Sequence, residues 1–273
     1  MTADNRFSTV TGPAVTVQRD GTVAVVTLAR PTKANAMDGE ITDALLETVR
    51  TLSTDRSVRA MVLTGDGSAF SAGGDVETIR AMRDDRTVRG TVLGAHQDLF
   101  WAMTRLPFAT VAAVNGPAVG AGVTVALLCD LVVMAHDAFL SDPRVSLGLL
   151  DGAGGIVLWP LLTSLSAAKE FLLLGDRVTG AEAHRLGLAN RTVPAAETLA
   201  ESLRLAHRLA ELPAPAVREM RRLLNSHIER AATVLDECAR AEIECFDTEE
   251  HGVLLDQLSA KVAAGTGGSR GGR

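Results

Sequence analysis

The chain of 273 residues contains no tyrosine, and aromatic residues make up only 3% of it. No phenol is therefore available as a proton donor. Cysteine is scarce as well. Cys129, Cys238 and Cys245 cannot all pair within one chain, and Cys129 lies in an apolar run where a reduced, buried thiol is expected. That excludes a disulfide framework and implies a reducing compartment. There is no basic excess: 27 Lys and Arg stand against 33 Asp and Glu, a formal charge of -6, so nucleic acid is not an expected partner. There is no long apolar run either. The longest, Val123 to Ala135, is interrupted by Asp130 and is too short to span a bilayer. The start, M-T-A-D-N-R-F-S, is polar, with no apolar core after a basic segment, so the expectation is a cytoplasmic protein without membrane contact. No Cys/His cluster has metal-ligand spacing, and no G-x-x-x-x-G-K-[ST] run exists, so neither a metal nor a triphosphate loop is expected.

What is present is apolar: 47% of the chain, enough for one large core. Residues 1–12 read as a flexible arm. Val15–Val17 and Thr22–Leu28 flank Asp20-Gly21, a hairpin signal. Asp38 can cap a helix over Gly39–Leu52, with Ile41, Leu45 and Val49 on one face. Val58–Leu63 reads as a strand, Val76–Leu106 as helical, Ala109–Asn115 as a buried strand and Leu131–Met134 as another. Between the last two, V-T-V-A-L-L-C is apolar all round, which predicts a short helix buried on every side. Beyond Ile156 the chain is mainly helical, and Thr179 with Glu182 forms a capping-box pattern. The expected fold class is α/β, with a core over 13–195, a helical region over 196–262 and a Gly-rich tail over 263–273. In the penultimate helix, Ile228, Ala231, Leu235, Cys238, Glu242 and Cys245 form a packing stripe broken only at Glu242, facing either the core or another subunit.

Two turns stand out. F-S-A-G-G-D (70–75) and G-P-A-V-G-A-G (116–122) each follow a strand, open a helix and carry almost no side chain. A ligand can reach the backbone there, and the first N–H groups of a helix have no internal partner. Two such ends brought together would aim two N–H donors at one oxygen, as an oxyanion hole requires. Taken singly, each turn also fits plain tight packing against a sheet. The second reads G-x-x-x-G-x-G, which is not the dinucleotide pattern.

These pieces, in this order, resemble the crotonase (enoyl-CoA hydratase/isomerase) superfamily. They are A-R-P-T-K-A-N-A-M (29–37), G-S-A-F-S-A-G-G-D-V (67–76), A-A-V-N-G-P-A-V-G-A-G (112–122), C-D-L-V-V-M-A (129–135), G-L-L-D-G-A-G-G (148–155) and G-D-R-V-T-G-A-E-A-H-R-L-G-L-A-N (175–190). The resemblance spans about residues 15–255. It implies a ββα spiral core with a helical C-terminal region that mediates homotrimers, often paired as hexamers. It implies an acyl-CoA substrate, with coenzyme A as part of that substrate and no separate cofactor or metal. By position, the oxyanion donors would be the N–H groups of Gly74 and Ala121, with Gly120 beside them. Lys33, Ala34, Ala36, Ala72, Asp75 and Val76 match the segments that line coenzyme A.

The sequence also departs from that pattern. Hydratases of this type hold water between two glutamates. Here those places are Thr124 and Arg144, and neither can serve as the missing carboxylate. Related isomerases and dehalogenases use an aspartate aligned near Gly152, and Asp151 stands one place earlier. Three readings stay open. An enolate-stabilising enzyme could borrow Asp151, or else Asp142, as acid or base. Asp151 could instead cap a Gly152–Leu162 helix, and Asp142 could be a turn residue before Pro143. Arg144 could bind a carboxylate on the acyl group, as a decarboxylase-like site would need, or form an internal salt bridge to Asp142 or Asp151. The protein could also bind CoA esters without catalysis. His96, on a helical stretch, reads as structural, and His136 as a surface residue.

Overall fold

The computed structural model describes residues 14–267, so the arm over 1–12 lies outside the described residues. The first half runs β1 (Val15–Asp20), β2 (Val23–Leu28), α1 (Gly39–Thr54), β3 (Ala60–Gly65), α2 (Val76–Asp84), α3 (Arg86–Thr104), β4 (Ala109–Val114), β5 (Ala118–Val119), α4 (Ala121–Leu127), β6 (Leu131–Ala135) and β7 (Phe139–Ser141). The second half is mostly helical: α5 (Gly155–Leu162), α6 (Leu165–Leu174), β8 (Val178–Thr179), α7 (Gly180–Leu186), β9 (Arg191–Val193), α8 (Thr198–Ala210), α9 (Ala214–Glu229), α10 (Ala232–Phe246) and α11 (Glu249–Gly267).

The strands form two sheets. The larger has the order β1-β2-β3-β4-β6-β9, and the smaller β5-β7-β8. Only the β1–β2 hairpin of the larger sheet is antiparallel; each later strand joins in parallel. Successive units lay one strand in the large sheet and one rung in the small one. Ser71 bridges Ala118 in parallel, and β5 pairs with β7. This is the expected spiral. Strands β3 and β4 are buried along their whole length. Their runs are apolar without alternation because both sheet faces are covered. Leu205, Ala206 and Ala210 of α8 pack on Val62, Val111 and Ala113 on one face. The main core fills the other, with Met61, Leu63, Phe70 and Leu99 fully buried.

Several local rules act as expected. Ile41 N–H donates to Asp38 Oδ1 at 3.1 Å, so Asp38 caps α1. Glu182 N–H donates to Thr179 Oγ1 at the start of α7. Every residue of α4 is buried. Several boundaries differ from the sequence reading. Strand β3 starts at Ala60 because Val58 N–H is turned back onto the Asp55 carbonyl. The helix expected from Gly152 begins at Gly155, since N–H groups before it are taken by side chains. The stripe from Ile228 to Cys245 is split by a turn at 230–231: Ile228 belongs to α9, Ala231 sits in the turn, and α10 carries Leu235, Cys238, Glu242 and Cys245. Helix α11 continues to Gly267, into the segment read as a tail, and 268–273 lie outside the described residues.

Candidate active site

The two small-residue turns are pressed together. Ser71 N–H donates to the Pro117 carbonyl at 3.1 Å, and Val119 N–H donates to the Ser71 carbonyl at 2.9 Å. A side chain at Gly73, which has φ +79°, would meet the Val119 carbonyl oxygen at 2.6 Å, and one at Gly122 would meet the Ser71 Cβ at 2.6 Å. Only glycine permits backbones this close. The 30–37 loop is stitched to the first turn. Asn35 Nδ2 donates to the Asp66 and Ala69 carbonyls at 2.8 and 2.9 Å, and Ala72 N–H donates to the Ala34 carbonyl at 2.9 Å.

A chamber of about 430 Å³ opens against this junction. Gly74, Gly120 and Ala121 line it from the two turns, and neither Gly74 N–H nor Ala121 N–H has an acceptor among the described residues. Of the segments matched to coenzyme A, Ala72 and Val76 line the chamber. Ala36 is buried, and Lys33 stays exposed beside Glu77. The Asp75 carboxylate is committed to capping α2, accepting from Thr78 N–H at 2.6 Å. The far wall comes from the C-terminal helices: Glu242 and Phe246 of α10, and Leu258 of α11.

Behind that wall lies a buried charge cluster. Arg144 donates to both Asp142 oxygens, at 2.8 and 2.6 Å, and its Nη2 is 2.6 Å from Asp151 Oδ1. Burial works against the Arg144 cation, but the carboxylates of Asp142 and Asp151 more than offset it and hold it charged. Asp151 also accepts from Ala153, Gly154 and Ile156 N–H at 3.0, 3.2 and 2.9 Å. It therefore caps the α5 entry from upstream and closes the ion pair at once. Burial raises its carboxyl to about 6, against the pull of Arg144. Arg144 reaches the chamber lining; Asp142 and Asp151 do not.

Glu242 is the residue that sequence reasoning passed over. It is 4% exposed and lies in the chamber wall, and Gly152 N–H donates to its Oε2 at 2.9 Å. Burial raises its carboxyl to about 8; Arg144 opposes this and Asp151 adds to it. Three carboxyl groups share one guanidinium here. Asp142 has the bidentate pair and Asp151 has three N–H donors, whereas Glu242 has one N–H. It has the fewest donors of the three, and its carboxyl is raised further than that of Asp151. Its sequence signal was the charge interrupting an apolar stripe. A side chain on Gly152 would collide with the Glu242 carboxylate, so Glu242 fills the place where residue 152 would project. His96, read from sequence as structural, is also in the chamber lining, whereas His136 is exposed as expected.

Comparison with known proteins agrees with this geometry. The family model described as enoyl-CoA hydratase/isomerase matches residues 18–251. A putative enoyl-CoA hydratase of Thermus thermophilus is 38% identical over 213 residues, 75% of this chain and 81% of that protein. The crystal structure of an enoyl-CoA hydratase/isomerase from Mycobacterium paratuberculosis is 36% identical, with a TM-score of 0.87 over 91% of this chain and all of that one. The structure of a monofunctional enoyl-CoA isomerase from M. smegmatis is 33% identical, with a TM-score of 0.69 over 80% of this chain and 95% of that one. With its spiral of paired sheets, its two interlocked turns and a family match over most of its length, the chain belongs to the enoyl-CoA hydratase/isomerase family and is an enzyme of that family.

Proposed function

We propose that the protein shifts the double bond of an enoyl-CoA, with Glu242 as the group that carries the proton. The observation behind this reading is that Glu242 is the one carboxyl group among the residues lining the chamber that also holds Gly74 and Ala121. In the proposed step the thioester oxygen of a 3-enoyl-CoA accepts from the Gly74 and Ala121 N–H groups. Ionised Glu242 takes a proton from the α carbon. The electron pair moves into the thioester, and its negative charge rests on the oxygen between the two donors. The same carboxyl returns the proton to the γ carbon, leaving the 2-enoyl ester. Atoms and charge balance without water, oxidant or metal.

The absences in the sequence support the same reading. Hydration in this family resembles a two-carboxylate operation, and both places are filled by Thr124 and Arg144. A one-base proton shift needs a single carboxyl. Relatives that run isomerase or dehalogenase chemistry carry an aspartate near position 152; here the space of that side chain holds Glu242, brought in from α10. Asp151 becomes a neighbour that, with Arg144, tunes Glu242. The reading of Arg144 as a receptor for an acyl carboxylate gains no support, because its fork is already occupied by Asp142 and Asp151. Coenzyme A would lie along Lys33–Ala36 and Ala72–Val76, meeting mostly backbone.

The test is to follow 3-enoyl-CoA isomerisation and crotonyl-CoA hydration side by side. Glu242→Gln should lower kcat for isomerisation by about 10²–10⁴-fold while acyl-CoA binding survives. The wild-type rate should climb as pH rises toward 8, since the ionised form is the active one. Undiminished isomerisation by Glu242→Gln, or hydration faster than isomerisation in the wild type, would remove Glu242 from the role.

A further inference from the structure

The chamber has an inner extension of about 10 Å³, room for a single oxygen atom. Ala121 and Ala153 line both spaces, and the extension continues between Leu99, Phe100 and Thr124, with His96 at its mouth. Its lining side chains are apolar except for those of His96 and Thr124. His96 Nε2 and Thr124 Oγ1 are both buried, and neither has a hydrogen-bond partner among the described residues. Buried polar atoms are almost always paired, and two orphans on one small cavity mark a missing occupant.

The Thr124 hydroxyl is unusual for a helix. Thr104 and Ser202 each donate to the carbonyl four residues back, at 2.8 Å, which is the ordinary way to satisfy such a group. Thr124 sits on α4 and makes no such bond. Its hydroxyl is left for something inside the cavity. His96 is held neutral: burial pushes it down to about 4, the Arg144 cation adds to this, and the Met37 backbone opposes it. A neutral imidazole has one N–H. With the Met37 backbone engaging the other nitrogen, Nε2 presents a lone pair. The pair thus offers an acceptor and a hydroxyl. A methyl group would leave both unsatisfied, and a carboxylate would face the imidazole lone pair. An O–H that donates to His96 Nε2 and accepts from Thr124 Oγ1 satisfies both.

We propose that this extension is a binding site for one hydroxyl oxygen, held between His96 and Thr124 beside the backbone of Ala121. The oxygen comes either from a hydroxyl group on the acyl chain or from a single water that the chain must pack against. The inference rests on reading the chamber as an acyl-CoA site, and butyryl-CoA tests that reading separately.

The experiment compares binding of butyryl-, 3-hydroxybutyryl- and 4-hydroxybutyryl-CoA to the wild type, Thr124→Val and His96→Phe by calorimetry, with a crystal structure of the unliganded wild type and of Thr124→Val. Thr124→Val keeps the shape of the side chain, so it carries the test should His96→Phe fold poorly. If the oxygen is the substrate's, one hydroxylated ester binds the wild type at least about tenfold more tightly than butyryl-CoA, and the preference vanishes in Thr124→Val. If it is water, the three esters bind alike and an ordered water lies within about 3.2 Å of both atoms, absent from Thr124→Val. Equal binding with a dry cavity overturns the proposal. Failure of every ester, butyryl-CoA included, to bind points instead against the acyl-CoA reading, while the unliganded crystals still decide the water.

Discussion

At the scale of single residues, the buried charges of Glu242 and Arg144 both carry a cost. A carboxyl group with one N–H donor, buried near two other acids, destabilises the fold once it ionises. Because its folded value is raised from 4.5 to about 8, the folded state holds a proton that the unfolded chain gives up. Stability is then greatest below pH 4.5 as far as this group is concerned, and it falls as pH rises toward 8. Glu242→Gln removes the ionisation and keeps the shape. Its Tm relative to wild type should therefore rise with pH, with little gain near pH 4 and the full gain by about pH 9, as scanning calorimetry across that range would register. A constant offset would mean that Glu242 ionises no differently in the folded state. Much at this scale was legible in advance. Asp38 and Thr179 announced themselves as caps because capping depends on a few neighbouring positions, and for Asp151 a cap was one of two open readings. A salt bridge from Arg144 to Asp142 or Asp151 was one of two open readings, and the side chain reaches both. Glu242 was visible only as a flaw in an apolar stripe, since its partner Gly152 is 90 positions away and nothing local connects them.

The elements follow the same division. The buried strands and α4 could be read from their apolar runs, whereas the break between α9 and α10 could not. The stripe from Ile228 to Cys245 keeps helical spacing across it, and no glycine or proline marks the turn. Tertiary contacts set the break and then fix α10 over the chamber. Arg89 of α3 is the anchor. It is 1% exposed, and it donates to the Ile243 carbonyl at 2.9 Å, to Asp247 at 3.0 Å, and to the Met82 and Arg83 carbonyls at 2.8 and 3.1 Å. Its guanidinium also lies 4.9 Å from the Phe246 ring centre. One side chain thus ties the C-terminal ends of α2 and α10 together, immediately beside Glu242. Arg89→Met should cost about 1–3 kcal/mol, the range for leaving buried acceptors without their donor. Amide exchange should quicken over 242–247 while β3 and β4 stay protected. Uniform quickening throughout would mean that α10 is no separately anchored unit.

At the scale of the molecule, the fold class followed from the order of motifs, but the surfaces did not, because exposure depends on which helix faces meet. One face of the helical region remains strongly apolar. Met220, Leu223 and Leu224 of α9 are 63%, 56% and 61% exposed. Beside them an apolar groove of about 520 Å³ runs between α9 and the end of α5, and it shares no lining residue with the chamber. Leu161 and Leu162 form its other edge. Apolar surface gathered in this way is costly in water and marks an association site. The homotrimer or hexamer expected from the sequence resemblance would cover this face with another copy of the chain. A closed ring of three copies needs a heterologous contact, and α9 of one copy set against the α5 edge of the next would be one. Light scattering of the purified protein should give three or six times the mass of 28.6 kDa. Met220→Asp combined with Leu224→Asp should yield monomers that keep the chamber intact, because these positions do not touch it. A wild type that is monomeric at micromolar concentration, or an assembly unaffected by both aspartates, would place the interface elsewhere.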